Sequence, residues 1–329
     1  MHRTIFGLSF LGLLGDGAAL AACSSSVDPT TGAGSTTGAT TSATGGAGGA
    51  STSGGTGGSA STSGGTGGSG GAATTTTTTS SGTGGQMEVP AYQSYVVLGD
   101  SISDGGGQGP FFYDLLVTND DNAYPTWQGK DLKTKFGAGL QVVHNAKGGA
   151  VSGNLPGQVS NLPDTLPGPV LVTITIGGND MQANIFSILQ GTDGPKRDKF
   201  RMNLAAALGE LTKPDRFGPG VEVHVFEADI YDPSDGKGDF SKHGCPAPLS
   251  LLPVTPTDTF FANWNGVVDD EVPMHGMSKV SPLHMTFYGH GIGNADDRWY
   301  ANDCIHPNKK GHNELRRMFW ANITGEVVQ

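Results

Sequence analysis

Tyr95-Val96-Val97-Leu98-Gly99-Asp100-Ser101 is the stretch on which the reading of this chain turns. Four apolar residues, two of them β-branched and one aromatic, stop abruptly at a glycine, which suits a short buried strand. Similar runs recur at 140–144, 169–176 and 221–227. The sequence between them reads as helix. Residues 125–136 begin with a proline and have Gly137 just past their end, the usual polarity of helix signals. Residues 198–213 open on the capping residue Asp198 and stop before Pro214, and they set Phe200, Leu204, Ala207, Leu208 and Leu211 near one stripe. Residues 260–268 and 308–323 are predicted helical as well. Strands alternating with helices build βαβ units, so the expectation is an α/β fold with a central parallel sheet and helices on both faces. In such sheets the chemistry lies beyond the carboxyl ends of the strands.

Those ends carry four polar or glycine-rich clusters. Gly99-Asp100-Ser101 follows the first strand, and Asn145-Ala146-Lys147-Gly148-Gly149 follows the second, running on to Val151-Ser152-Gly153. Gly177-Gly178-Asn179-Asp180 follows the third, and Asp303-Cys304-Ile305-His306-Pro307-Asn308 precedes the last helix. One such triplet is weak, since Ser101 alone could cap a helix, Asn179 could sit in a turn and His306 on the surface. The four together fit acyl transfer. A serine hydroxyl needs a base, which His306 supplies, and the base needs a group to fix its tautomer, which Asp303 can do from the same tight turn. A tetrahedral oxyanion needs preorganised donors: the N–H of Ser101, a glycine N–H of the second cluster and the amide of Asn179.

The order Ser, Gly, Asn, His, carried in GDS, a glycine-rich second block, GGND and DxxHPN, resembles the SGNH (GDSL-like) hydrolase superfamily over the folded region from about Tyr95 onward. The resemblance implies a flavodoxin-like α/β/α sandwich, with Ser101 as nucleophile, His306 as general base, Asp303 as its orienting acid, and Ser101, Gly153 and Asn179 as the oxyanion hole. Two positions depart from the pattern. Ile102 stands where the fourth GDSL letter would be leucine. The second block holds three glycines; Val151-Ser152-Gly153 matches the family's aliphatic–small–glycine ending, and Gly149 is the alternative donor. Ester hydrolysis is therefore expected, on short-acyl esters or O-acetylated carbohydrate, with no cofactor and no metal. O-acyl transfer to a glycan could use the same residues. A non-catalytic glycan-binding domain on this scaffold is the contrasting class, and the full set of reactive residue types argues against it.

Other features read more plainly. Asp180 is expected to support the Asn179 loop, and His144, His284, His290 and His312 to be surface or satisfied histidines. The aspartates of 229–239 lack the spacing and closing glutamate of a calcium loop. Gly105-Gly106-Gly107 reads as a loop beside Ser101. Gly67-Gly68-Ser69-Gly70-Gly71 satisfies G-x-S-x-G but has neither the preceding strand nor the following helix of a nucleophile elbow. Cys245 and Cys304 form H-x-C and C-x-H pairs with His243 and His306 that could hold zinc; in an oxidising compartment a disulfide between them is the expected outcome.

That compartment comes from the N-terminus. Residues 1–22 combine a basic start, an apolar run and small residues before Cys23, as in a secretory signal, and Leu20-Ala21-Ala22-Cys23 looks like a bacterial lipobox. Lipidation at Cys23 would anchor the protein to the bacterial cell envelope or surface without a spanning helix. Residues 23–86 collapse to Gly, Ser, Thr and Ala, with the unit at 51–60 repeated at 61–70. Such a segment buries nothing, so it is predicted to be a disordered tether spanning on the order of 45 Å. The hydrolase domain is expected over 87–329. With 30 acidic against 19 basic residues and a net charge of −11, no nucleic-acid partner is expected.

Overall fold

The computed structural model describes residues 89–328. The expectations for the signal segment 1–22, for Cys23 and for the tether 23–86 lie outside the described residues. Five strands form one sheet: β1 (Ser94–Gly99), β2 (Gln141–His144), β3 (Val170–Thr175), β4 (Val223–Ala228) and β5 (Met277–Ser281). Their order is β2-β1-β3-β4-β5 and every pairing is parallel. This is the doubly wound order of flavodoxin-like sheets, in which the connections must cross the faces and cover them with helix. The helices are α1 (Phe112–Val117), α2 (Leu132–Phe136), α3 (Leu155–Ser160), α4 (Gly178–Ala183), α5 (Ile185–Leu189), α6 (Gly194–Leu211), α7 (Asp258–Glu271), α8 (Leu283–Phe287) and α9 (Lys309–Thr324).

Strand β1 lies between β2 and β3 with all six residues buried, and its side chains feed two separate cores. Tyr95 and Val97 pack with Phe112 and Leu116 of α1, Phe287 of α8, and Leu315 and Phe319 of α9. Val96 and Leu98 face the other way, toward Val159 of α3, Phe200, Leu204 and Leu208 of α6, and Trp264 and Val268 of α7. The alternation along a strand thus fills both layers, which is why its sequence reads as an unbroken apolar run.

The four expected strands are present within a residue or two. Three elements differ from expectation. Residues 125–136 are not one helix: a 3-10 turn at Pro125–Trp127 gives way to α2, because Gly129 adopts φ +76° and breaks the path. Asp131 then restarts it by accepting from Thr134 N at 2.9 Å. Helix α6 begins at Gly194, four residues before Asp198, with Pro195 in its first turn. Strand β5 has no counterpart among the expected strands. Met277-Ser278-Lys279-Val280-Ser281 is an edge strand that pairs only with β4, and pairing supplies what its composition does not. No helix among the described residues is long and apolar enough to cross a membrane.

Candidate active site

The carboxyl ends of β1 and β3 converge on the turn that carries Ser101. At the end of β1, Gly99 has φ +120°, and a Cβ there would sit 2.0 Å from the carbonyl oxygen of Thr175. Only glycine lets the chain leave the sheet so close to β3. Gln158 brackets the same residue, accepting from Gly99 N at 2.8 Å and donating to Gly99 O at 2.7 Å. Asp100 turns inward. Its carboxylate accepts from Ile102 N at 3.0 Å and Thr175 Oγ1 at 2.9 Å, and burial pushes it up to about 6. With its neighbours fixed from both sides, Ser101 projects from a rigid corner.

The loop before α9 presents the other two residues. Ala301 N donates to His306 O at 2.8 Å and Tyr300 bridges Pro307, closing a tight turn. Asn308 caps α9 by accepting from Lys310 N and Gly311 N, and its amide donates back to Arg298 O at 2.7 Å. Inside this turn Asp303 Oδ1 accepts from the N–H groups of Ile305 and His306, at 3.0 and 2.9 Å. Its Oδ2 accepts from His306 Nδ1 at 2.7 Å, and the opposite ring nitrogen, Nε2, accepts from Ser101 Oγ at 2.7 Å. Partial burial alone would raise the Asp303 carboxyl. The His306 ring and the two backbone donors outweigh it and hold the group at about 2, so it is ionised at any ordinary pH. A hydroxyl bonded to an imidazole that is itself bonded to an ionised carboxylate can lose its proton as it attacks a carbonyl.

The turn is anchored from behind. Cys304 is disulfide-bonded to Cys245, with Cα atoms 5.6 Å apart, and both residues are buried. The two sulfurs that could have held zinc are therefore joined to each other. Tyr231 Oη donates to Ile305 O at 2.5 Å.

The second and third clusters form a single unit. Asn179 Nδ2 donates to Ala150 O at 2.9 Å. Asp180 accepts from Ser152 N at 2.8 Å and Ser152 Oγ at 2.6 Å, and Asn203 Nδ2 donates to the same hydroxyl at 3.0 Å. Asp180, expected to support the Asn179 loop, instead reaches across and braces the second cluster. Gly153 lies in the one-turn 3-10 segment Ser152–Asn154 directly after that brace, whereas Gly149 occupies the preceding turn at φ +76°. Lys147 N donates to Gly99 O at 3.0 Å and ties the unit to the strand that leads to Ser101. On its flank opens a depression of about 440 Å³ lined by Asn145, Lys147, Gly149, Asn154, Gln158 and Asn161.

The structure therefore brings Ser101, His306 and Asp303 into one hydrogen-bonded row and joins Gly153 and Asn179 through Ser152, Asp180 and Ala150. Cys23 lies outside the described residues. His144, His284 and His312 each pair with a backbone carbonyl, and His290 lies flat on Trp299 beside Asp297. Two aspartates of 229–239 are taken up by donors of the protein: Asp232 accepts from Ser234, Gly236 and Thr257, and Asp235 from Gly289 N and Gly291 N. The parts played by Gln158, Asn203 and Tyr231, and the bond of Ser152 to Asp180, have no signal in the sequence. Each acts across a distance in sequence, and a lone Gln or Tyr carries no motif.

Comparison with known proteins gives the same outline. The model of the GDSL-like Lipase/Acylhydrolase family matches residues 97–313, which holds all four clusters. The chain has no significant match among curated proteins. Among solved structures, it is similar to an acetylxylan esterase from Geobacillus stearothermophilus, with 18% identity, a TM-score of 0.46, and coverage of 74% of this chain and 99% of that one. A lipase from a goat rumen metagenome is 17% identical, with a TM-score of 0.45 and coverage of 69% and 96%. An α/β hydrolase from the metagenome of Lake Arreo, Spain, is 18% identical, with a TM-score of 0.45 and coverage of 71% and 95%.

Proposed function

The chain belongs to the GDSL-like lipase/acylhydrolase family and is a carboxylic ester hydrolase, and from that premise we propose that it works through an acyl-enzyme on Ser101. The observation that carries the proposal is the row Ser101 Oγ–His306 Nε2 and His306 Nδ1–Asp303 Oδ2, each at 2.7 Å. As Ser101 Oγ attacks the ester carbonyl, its proton passes to His306 Nε2. Asp303 holds Nδ1–H in place and stabilises the imidazolium that forms. The tetrahedral oxyanion takes hydrogen bonds from Ser101 N, Gly153 N and the Asn179 amide, which gives one N–H to Ala150 O and has a second to offer. Collapse expels the alcohol, which His306 protonates. Water then attacks the acyl carbon with His306 again as base, releasing the acid and restoring Ser101.

The substrate we favour is a short-acyl ester or an O-acetylated carbohydrate. The site of action we propose is outside the cytoplasm, on a bacterial envelope, with Cys23 lipidated and residues 23–86 as the tether; radiolabelled palmitate retained by wild type and lost in Cys23→Ser tests it.

Catalysis is tested by p-nitrophenyl acetate turnover and by fluorophosphonate labelling of wild type and Ser101→Ala. Wild type is expected to turn over and to take the label on Ser101, and the variant to do neither. Equal rates in the two proteins, with no label on Ser101, would overturn the reading.

A further inference from the structure

Between Ser101 and His306 runs Gly105-Gly106-Gly107, a segment with no side chains of its own to anchor it. Gly105 and Gly107 adopt φ +87° and +101°. Gly106 lies directly against the base: a Cβ there would be 2.5 Å from His306 Cδ2, 2.8 Å from Nε2 and 2.9 Å from Ser101 O. A Cβ on Gly107 would be 2.1 Å from Pro307 O. The segment is therefore a backbone wall on the edge of the imidazole that faces the serine. Hydrogen bonds fix its position. Gly106 N donates to Ser101 O at 2.6 Å and Gln108 N to Pro307 O at 3.1 Å, both tying it to the turns it must align. The remaining tie comes from the frame of the fold: His312 Nε2 donates to Gly106 O at 2.9 Å from the first turn of α9.

The chemistry of His312 marks this bond as its purpose. The residue is fully buried, stacked on Phe112 at 13° and met edge-on by Phe111 at 5.3 Å. A phenylalanine would fill that aromatic slot without polar atoms. The imidazole is there in spite of its burial, with Nδ1 lacking any partner among the described residues. Burial holds the ring down at about 4, so it is neutral near pH 7, and the carbonyl acceptor requires its single proton on Nε2.

We propose that His312 is a positioning residue for the base: by holding the Gly106 carbonyl, its Nε2–H keeps the glycine segment against His306 and the imidazole in line with Ser101. The proposal rests on the reading of Ser101 and His306 as nucleophile and base. It is tested with His312→Phe, which keeps the aromatic packing and removes the donor, and His312→Gln, whose amide nitrogen reaches as far as Nε2. On p-nitrophenyl acetate, H312F is expected to lose on the order of 10- to 100-fold in kcat with KM changed by no more than about two-fold. H312Q is expected to recover most of the loss, and fluorophosphonate labelling of Ser101 should slow in H312F and not in H312Q. If H312F does not give a cooperative melt, His312→Met, which fills the volume without a donor, takes its place. A folded donor-free variant with wild-type kcat, or an H312Q as impaired as H312F, overturns the proposal. Absence of label on Ser101 in wild type would instead remove the underlying catalytic reading.

Discussion

Replacing Gly106 by alanine places a methyl group where the edge of His306 already lies. The new carbon would be 2.5 Å from Cδ2 and 2.8 Å from Nε2, with Ser101 O at 2.9 Å blocking a simple sideways shift. Ordinary contact begins near 3.4 Å, so the imidazole, the backbone or both must give by about 0.9 Å. The ring is not free to do so, because Nδ1 is bound to Asp303 at 2.7 Å within a closed turn. Overpacking of this kind costs about 1–3 kcal/mol in stability. The larger consequence is catalytic: a displacement near 1 Å takes Nε2 out of line with Ser101 Oγ, worth on the order of 100-fold in kcat, or about 2.7 kcal/mol of barrier. The assay is kcat and KM on p-nitrophenyl acetate, with thermal melting measured alongside. Gly266→Ala in α7 is the control, since that helical glycine has open space at its Cβ position and alanine should raise stability slightly without touching kcat. A folded G106A with kcat within about three-fold of wild type would refute the claim that the segment walls the base.

Two further perturbations follow from the same geometry. Cys245→Ser with Cys304→Ser opens a link between residues 59 apart in sequence, so loop-closure entropy predicts a loss of about 4 kcal/mol. For a domain of this size that is roughly 8–16 °C in Tm, and calorimetry with and without reductant would detect it; a change under about 2 °C counts against a stabilising role. Glu227 on β4 is fully buried with neither carboxyl oxygen partnered among the described residues, and burial pushes it well above its usual 4.5. The folded protein therefore keeps a proton that the unfolded chain releases, and stability falls as pH rises from about 4.5 toward the folded value. Glu227→Gln should remove that slope and melt higher than wild type near pH 8, whereas parallel Tm–pH curves for the two proteins would contradict the buried, neutral acid.

Much of this protein was legible because its signals are local. A parallel strand reads as a short β-branched, apolar-rich run, and four such runs found β1 to β4, two of them stopping at a glycine, Gly99 and Gly177. Three of the clusters were visible for a related reason: in a doubly wound sheet they sit just past those runs, so position in sequence stood in for position in space, whereas the Asp303–His306 cluster was marked by its place before the last helix. What failed to show was structure that depends on partners. Strand β5 owes its existence to the exposed edge of β4, and Met-Ser-Lys-Val-Ser announces nothing of it. The break at Gly129 was hidden because a stretch with a proline at one end and a glycine past the other looks continuous.

The sequence by itself determined the alternation of strands and helices, the residue types of the site, and the order in which they occur. Only the tertiary structure decided that Ser101, His306 and Asp303 share one hydrogen-bonded row, since 205 residues separate the serine from the histidine. It also decided the supporting parts: Gln158 around Gly99, Asp180 on Ser152, Tyr231 on Ile305 and His312 on Gly106. Each is a single bond between distant segments, specified by packing and not by any local pattern. Chain chemistry dictated which groups could react; the sheet and the two cores dictated which of them meet.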